Sequence, residues 1–588
     1  MSTSHQHWIG PLAQRYSAVL SQQAPRDPEQ VRHLNALQLA SSLIDSSTLH
    51  QQYASLCPQI AIMGPTQSGK STLVNLLLDA SVAIASPLAG FTVHAQGYGA
   101  ACSEKDLSII NEFMSPMERT KSDALDAQKL DSYVLEPAGV GPRALIDQAV
   151  VWDTPDFDSI EASTYAAAVY KTAALADVAM LVVSKDKYGD KRVWDVIELL
   201  HQLRKPIIIC INKVDEADKE LIRSAFSNRW REHLQTPVSP LVLLPYISGQ
   251  QPESAPAFPP SSLDTLQDAL GTALALTDRQ AQARACEQFI DANQMAWLEP
   301  LLHEREALRS WQEMLRRAIE DADEQYANSY LNNPDKYETF NRALAELLSL
   351  LEIPGVARAL GRTRQLVTWP ARRLLGVGRS MIQNSSVQAG AGGEKVNQEA
   401  QVMQHVFDSA LVGIQTQLLD QPRQPWWTAL NQNYRDRLPH VRQTYNSVAE
   451  QARAEFEPQI ESAAQSLYQQ LQSQPRLLNT LRAARASADA AGVALAVKSG
   501  GLAPADLILA PAMLSVTTLL TESALGKYMN TVKQSLRQKQ RRHTLQSVWQ
   551  IALGRQLEEI AGSLQENSLF TSKLEPALLE HLNSLRHN

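Results

Sequence analysis

The chain has 588 residues, of which 44% are hydrophobic, 20% charged and 6% aromatic, a composition that excludes a disordered or collagen-like polypeptide and calls for more than one core. Lys plus Arg number 54 against 62 Asp plus Glu, a net charge of −8, which argues against a chain built to wrap nucleic acid, so no DNA partner is expected. The four cysteines, Cys57, Cys102, Cys210 and Cys286, form no CxxC or Cys/His cluster, so neither a disulfide framework nor a zinc site is expected. The first residues lack both a basic and an apolar leader region, and a cytoplasmic setting follows.

In chain order, residues 1–56 are expected to form a helical segment. Asp27-Pro28-Glu29 is a helix start, and Val31, Leu34, Leu37, Leu43 and Ile44 recur at helical spacing up to about residue 55. From 57 to 275 short apolar runs alternate with helix-like stretches. The runs are 59–63, 149–152, 178–183, 206–211 and 241–244, and none alternates with polar residues. Strands of that kind are buried on both faces, which predicts an α/β domain: a mostly parallel sheet with helices on both faces. From 276 to 588 no strand-like run recurs, and Gln-, Glu-, Arg- and Leu-rich segments predict a long all-α stalk or bundle.

Gly64-Pro65-Thr66-Gln67-Ser68-Gly69-Lys70-Ser71 fits G-x-x-x-x-G-K-[ST] between the first strand and a helix that opens at Thr72. Glycines let the backbone curl so that successive N–H groups and a helix N-terminus face phosphate oxygens. Lys70 would bridge the β- and γ-phosphates and the Ser71 hydroxyl would ligate Mg²⁺. Asp153 ends the strand Val150-Val151-Trp152, where open α/β sheets bind ligands, and its carboxylate can join the metal shell. Asn212-Lys213-Val214-Asp215 follows another strand, and the Asp215 carboxylate can accept both N–H donors of a guanine edge, a pair that adenine does not offer.

With GPTQSGKS, DTPD and NKVD in this order, the chain resembles the P-loop GTPase family. The resemblance implies GTP binding and Mg²⁺-dependent hydrolysis, with the phosphates on Gly64–Thr72 and the base on Asn212, Lys213 and Asp215. It implies a switch threonine that closes on metal and γ-phosphate, for which Thr92 is the candidate. Ser248 is the candidate for the fifth motif. Two departures stand out. Asp156 replaces the glycine of D-x-x-G, placing a carboxylate where the γ-phosphate is sensed. Gln67 stands where dynamins carry a catalytic serine and potassium-activated GTPases an asparagine, so it is a candidate to position water or a partner's phosphate, beside its reading as a solvent-facing side chain.

The order of helix, GTPase domain and long helical region is similar to that of bacterial dynamin-like large GTPases, which implies a homodimer or oligomer formed through the GTPase domains. Segment 355–382 combines six arginines with Trp369 and no acid. Segment 490–526 is dominated by Ala, Leu, Val and Gly, and its uncharged run 507–521 is shorter than the ~20 residues needed to cross a bilayer. Basic residues follow it: Lys527, Lys533, Arg537, Lys539, Arg541 and Arg542. Both segments fit contact with membrane lipids at the inner face of the membrane. For 490–526 a buried core hairpin remains the other reading, and for 355–382 an arginine-faced helix against the acidic body or RNA. A ribosome- or RNA-associated GTPase, or a soluble regulatory GTPase whose apolar region docks a protein, are the competing functions.

Overall fold

The computed structural model describes residues 3–84, 92–126, 129, 131–156, 166–245, 258–351, 397–483, 525–564, 566–571 and 573–585. They form two compact units: Met1–His303 together with Glu566–Asn588, and Glu304–Gln565. The first unit is therefore assembled from two separate stretches of chain, with the second inserted between them.

The first unit carries an eight-stranded sheet in the order β3-β4-β2-β5-β1-β6-β7-β8. Its strands are β1 Gln59–Met63, β2 Gln96–Ala100, β3 Glu118–Thr120, β4 Ser132–Ala138, β5 Ala149–Asp153, β6 Val178–Ser184, β7 Ile207–Val214 and β8 Leu241–Pro245. All pairs are parallel except β2 with β5, so β2, β3 and β4 run against the other five. Along β1 the side chains alternate between two cores: Ile60 and Ile62 face one, Ala61 and Met63 the other. The five strands expected from apolar runs are all present. Those that the runs did not mark are β2, β3 and β4. In β2, Gln96-Gly97-Tyr98-Gly99-Ala100 lacks β-branched residues because the Trp152 ring lies on it, and a Cβ at Gly97 would meet that ring at 2.8 Å.

Helices cover the sheet: α3 Lys70–Leu78, α4 Glu104–Met114, α5 Ala166–Leu175, α6 Lys191–Gln202, α7 Lys219–Leu234 and α8 Pro260–Ala275. Ahead of it come α1 Thr3–Ser21 and α2 Pro28–Gln52, the latter started by Asp27, whose side chain accepts from the Glu29 amide. Within the 1–56 segment expected to be helical, periodicity marks only α2, since Gly10-Pro11 interrupts the pattern of α1. Its Trp8, Leu12, Tyr16 and Val19 are nonetheless buried against α2, against the first turns of α9 (Arg279–Tyr326), and against Phe570, Leu578 and Leu582 at the far end of the chain. Trp8 stacks on His581 with centroids 4.3 Å apart, the Tyr16 hydroxyl donates to the Trp297 carbonyl, and Arg15 donates to the carbonyls of Glu566 and Phe570.

At the N-terminal ends of β1 and β6 a buried polar hub ties these parts together. Arg279 forms a two-pronged ion pair with Asp177 and donates to the carbonyls of Ala54 and Leu56. Asp177 also accepts from the Gln59 amide, and buried Lys205 donates to the carbonyls of Ala174 and Ala176. Burial raises the Asp177 carboxyl, but Arg279, His50 and the Gln59 amide outweigh it and hold it below the usual range.

Every regular element among the described residues of the second unit is a helix. It comprises the rest of α9, a π-helical turn Ala327–Leu331, α10 Glu338–Leu350, α11 Gln398–Leu419, α12 Pro425–Gln472, α13 Gly526–Thr544, a π-helical stretch Leu545–Arg555 and α14 Gln556–Gly562. Aromatic stacking runs through its core, with Phe407 on Tyr445 at 3.9 Å and Tyr445 on Trp549 at 6.4 Å. Glu399 is buried there, accepting from Tyr326 and Gln540. Several basic side chains on α13 have partners on neighbouring helices, Lys533 and Arg537 half-buried and Lys539 and Arg541 exposed. Lys533 lies over Phe340, Arg537 over Tyr337, Lys539 donates to Gln459 and Arg541 pairs with Asp323. Segment 355–382 and residues 490–524 lie outside the described residues.

Candidate nucleotide site

The C-terminal ends of β1, β5, β6 and β7 lie side by side, because these strands are parallel neighbours in the sheet. The loop Gly64–Gly69 leaves β1 and leads into α3, whose first residue is Lys70. Both motif glycines are required by space. A Cβ on Gly64 would fall 2.1 Å from the Val182 carbonyl oxygen, and Gly69, at φ +100°, would bring one to 2.4 Å from Asn212 Nδ2. Gln67 adopts a left-handed backbone at φ 61° without being glycine.

The neighbouring strands hold this loop. Asn212 Nδ2 donates to the Ser68 carbonyl at 3.0 Å, Lys213 Nζ to the Gln67 carbonyl at 3.0 Å and Lys187 Nζ to the Thr66 carbonyl at 3.3 Å. Thr154 Oγ1 donates to the Ile62 carbonyl, fixing the end of β5 against β1. Asn212 and Lys213 thus act first on the phosphate loop.

Lys70 is 5% exposed, and its Nζ donates to the Gly64 carbonyl at 3.1 Å, the Pro65 carbonyl at 3.4 Å and the Asp156 carboxylate. The extra acid of the third motif therefore turns into the cradle and neutralises the lysine that would meet the phosphates. Beside it, Ser71 Oγ donates to Asp153 Oδ2 at 2.6 Å. Asp153 is fully buried, and its Oδ1 has no hydrogen-bond partner among the described residues. Burial pushes its carboxyl up to about 6, with Lys70 and Ser71 opposing and Asp156 adding to the rise. An orphaned buried carboxylate oxygen beside a hydroxyl is a hard-oxygen donor set, and these residues fit Mg²⁺.

Asp215 lies half exposed at the end of β7, where Lys185, just beyond β6, pairs with it and with Asp218. Lys185 was not marked by sequence reasoning, nor were Lys187 and Thr154. Their only signal is position, immediately after a strand end that meets the cradle. Thr92 is half-buried ahead of β2, and no described contact joins it to the cradle. Ser248 lies outside the described residues. Gly64–Thr72, Asp153, Asn212 and Lys213 are brought to one place, with Asp215 at the same edge.

Comparison with known proteins agrees with this geometry. Residues 59–213 match the family described as 50S ribosome-binding GTPase, and residues 158–420 the family described as elongation factor Tu GTP binding domain. GTPase Era of Erythrobacter litoralis (strain HTCC2594) is 30% identical over 166 residues, which cover 28% of this chain and 43% of that protein. The chain thus spans about two-fifths of the length of the curated relative it matches. Two solved structures described as an oligomerised bacterial dynamin pair, with a mechanism for long-range sensing and tethering of membranes, align over 89% and 91% of this chain. They do so at 13% identity and TM-scores of 0.33 and 0.32, too distant to bear on this chain's role. The sheet, the cradle and the family matches define a GTP-binding P-loop GTPase domain.

Proposed function

We propose that this chain is a dynamin-like GTP hydrolase acting at a membrane surface, in which GTP draws two GTPase domains together and hydrolysis moves the helical region. The observation that carries the reading is the joining of a complete phosphate cradle to a separate helical unit, Glu304–Gln565, far larger than a molecular switch needs. Composition supports the lipid contact: 490–526 is apolar with an uncharged run, 507–521, short of a full span, and 355–382 combines arginines with Trp369. Among the described residues no helix is long and apolar enough to cross a membrane.

At the site, the loop amides and Lys70 bind the phosphates once Asp156 releases the ammonium. Asn212 keeps the loop in shape, and Asp215 exchanges Lys185 for the two N–H donors of guanine. Ser71 and Asp153 would hold Mg²⁺, which when bound neutralises charge on the β- and γ-phosphate oxygens.

The test is GTP turnover and flotation of the full chain with and without anionic liposomes, repeated after deletion of 490–526. Flotation and lipid-stimulated turnover that both vanish on deletion are the expected result. Retained flotation removes the role of that segment.

A second reading, a ribosome- or RNA-associated GTPase, draws on the match of residues 59–213 and on the relative GTPase Era. Steeply salt-dependent RNA binding without flotation would replace the membrane reading with this one. On α13, Lys533 and Arg537 are half-buried, while Lys527, Lys539, Arg541 and Arg542 remain at the surface under either reading.

A further inference from the structure

Scattered in sequence, Cys57 and Cys102 meet in the fold: their sulfurs are 2.9 Å apart and share a thiol hydrogen. Cys57 lies in the connector from α2 to β1, directly after Leu56, whose carbonyl is held by Arg279, and is 3% exposed. Cys102 follows β2 and precedes Ser103, whose side chain and that of Asp106 cap α4 reciprocally. It is half-buried, so solvent reaches it and not its neighbour. All four cysteines are free thiols here.

We propose that Cys57 and Cys102 are a redox couple that closes to a reversible disulfide, fastening the α2–β1 connector to the β2–α4 turn. The sulfurs need to approach by about 0.9 Å to reach the bonded distance of about 2.05 Å, a side-chain adjustment. The chemistry is ordered by access. The Cys102 thiolate attacks one sulfur of a small disulfide such as oxidised glutathione, whose S–S bond breaks and whose first half leaves as a thiolate that takes up a proton. The Cys57 sulfur then gives its proton to solvent and attacks the Cys102 sulfur of the mixed disulfide. The second half leaves, and is protonated in turn. Two protein thiols are oxidised and one glutathione disulfide is reduced to two thiols.

The hydrogen bond between the thiols lowers the Cys102 thiol and raises that of Cys57, which together with its exposure suits Cys102 to the first attack. The ring so closed contains the whole phosphate loop, β1, α3 and Thr92, so the bond constrains the segment that binds the phosphates. The inference is independent of the membrane reading.

The test uses the full chain equilibrated in glutathione redox buffers, blocked with N-ethylmaleimide, digested and mapped by mass spectrometry. The expected result is a Cys57–Cys102 linked peptide that grows with the oxidised fraction, disappears with dithiothreitol, and leaves Cys210 and Cys286 alkylated as thiols. In Cys57→Ser, Cys102 is expected to accumulate as the glutathione mixed disulfide, because no second thiol resolves it. Wild-type protein that keeps glutathione on Cys102, or that returns both cysteines as alkylated thiols after oxidation, overturns the proposal. The wild-type map decides the matter even where the variant does not fold.

Discussion

Asp156 sits in the cradle as a counter-ion for Lys70, both side chains being about 5% exposed, so GTP must displace a carboxylate before Lys70 can meet its γ-phosphate. A hydrogen bond to a charged group is worth about 1.5–3 kcal/mol. Asp156→Gly should therefore tighten a non-hydrolysable GTP analogue by roughly ten- to a hundredfold, as each 1.36 kcal/mol is tenfold. Calorimetric titration checks this, and unchanged affinity would show that the carboxylate leaves at no cost. At the base end, Asp215→Asn turns two acceptors into one acceptor and one donor, so GTP should weaken and xanthosine triphosphate improve in a competition assay. Lys70→Ala should abolish nucleotide binding or turnover. The cradle was legible in the sequence because its glycines answer to backbone space that no other residue fits. That Asp156 turns inward was not, because a side chain's direction depends on what surrounds it, here the ammonium of Lys70.

Among the elements, α2, β1, β6 and the start of α9 meet at the Asp177–Arg279 hub, whose acid is 2% exposed on its side chain. Removing one member of a buried pair strands the other, at roughly 3–5 kcal/mol. Arg279→Ala should thus cost on the order of 3 kcal/mol in denaturant unfolding, and Asp177→Asn combined with it should cost less than the two changes summed. His50, at the end of α2, lies by the same hub. Burial pushes its imidazole down to about 4 from 6.5, against the pull of Asp177 and with Arg279 and Lys205 adding to the drop. Below pH 6.5 the unfolded chain takes up a proton that the folded chain refuses. Stability therefore falls as pH drops from 6.5 to 4, by on the order of 3 kcal/mol from this group. Unfolding midpoints of His50→Gln should be flatter than wild type across that window. Sequence periodicity found α2 and the five apolar strands. Within the 1–56 segment expected to be helical it gave α1 no pattern of its own, because Pro11 breaks it, and it missed β2, because Gly97 and Gly99 offer no side chains to read.

At the level of the molecule, the first unit is completed by Glu566–Asn588, whose Phe570, Leu578 and Leu582 are buried with Trp8 and Tyr16. Each such side chain contributes roughly 1.5–3 kcal/mol. Deleting 566–588 should destabilise the first unit by on the order of 5 kcal/mol, seen as a lower melting temperature and increased binding of an apolar dye. Because Ala174 and Leu203 of the GTPase domain belong to the same core, GTP turnover should fall with temperature earlier in the truncated chain. No sequence pattern announces such a closure, since contacts across several hundred residues leave no local periodicity.

That arrangement also governs how the protein is born. Vectorial synthesis delivers Trp8 and Tyr16 long before Phe570, and the whole inserted unit emerges in between. Until the last strip leaves the ribosome, the nascent GTPase domain carries an unfilled apolar seat, a natural site for chaperone capture, and translation that stops early leaves a product that displays it permanently.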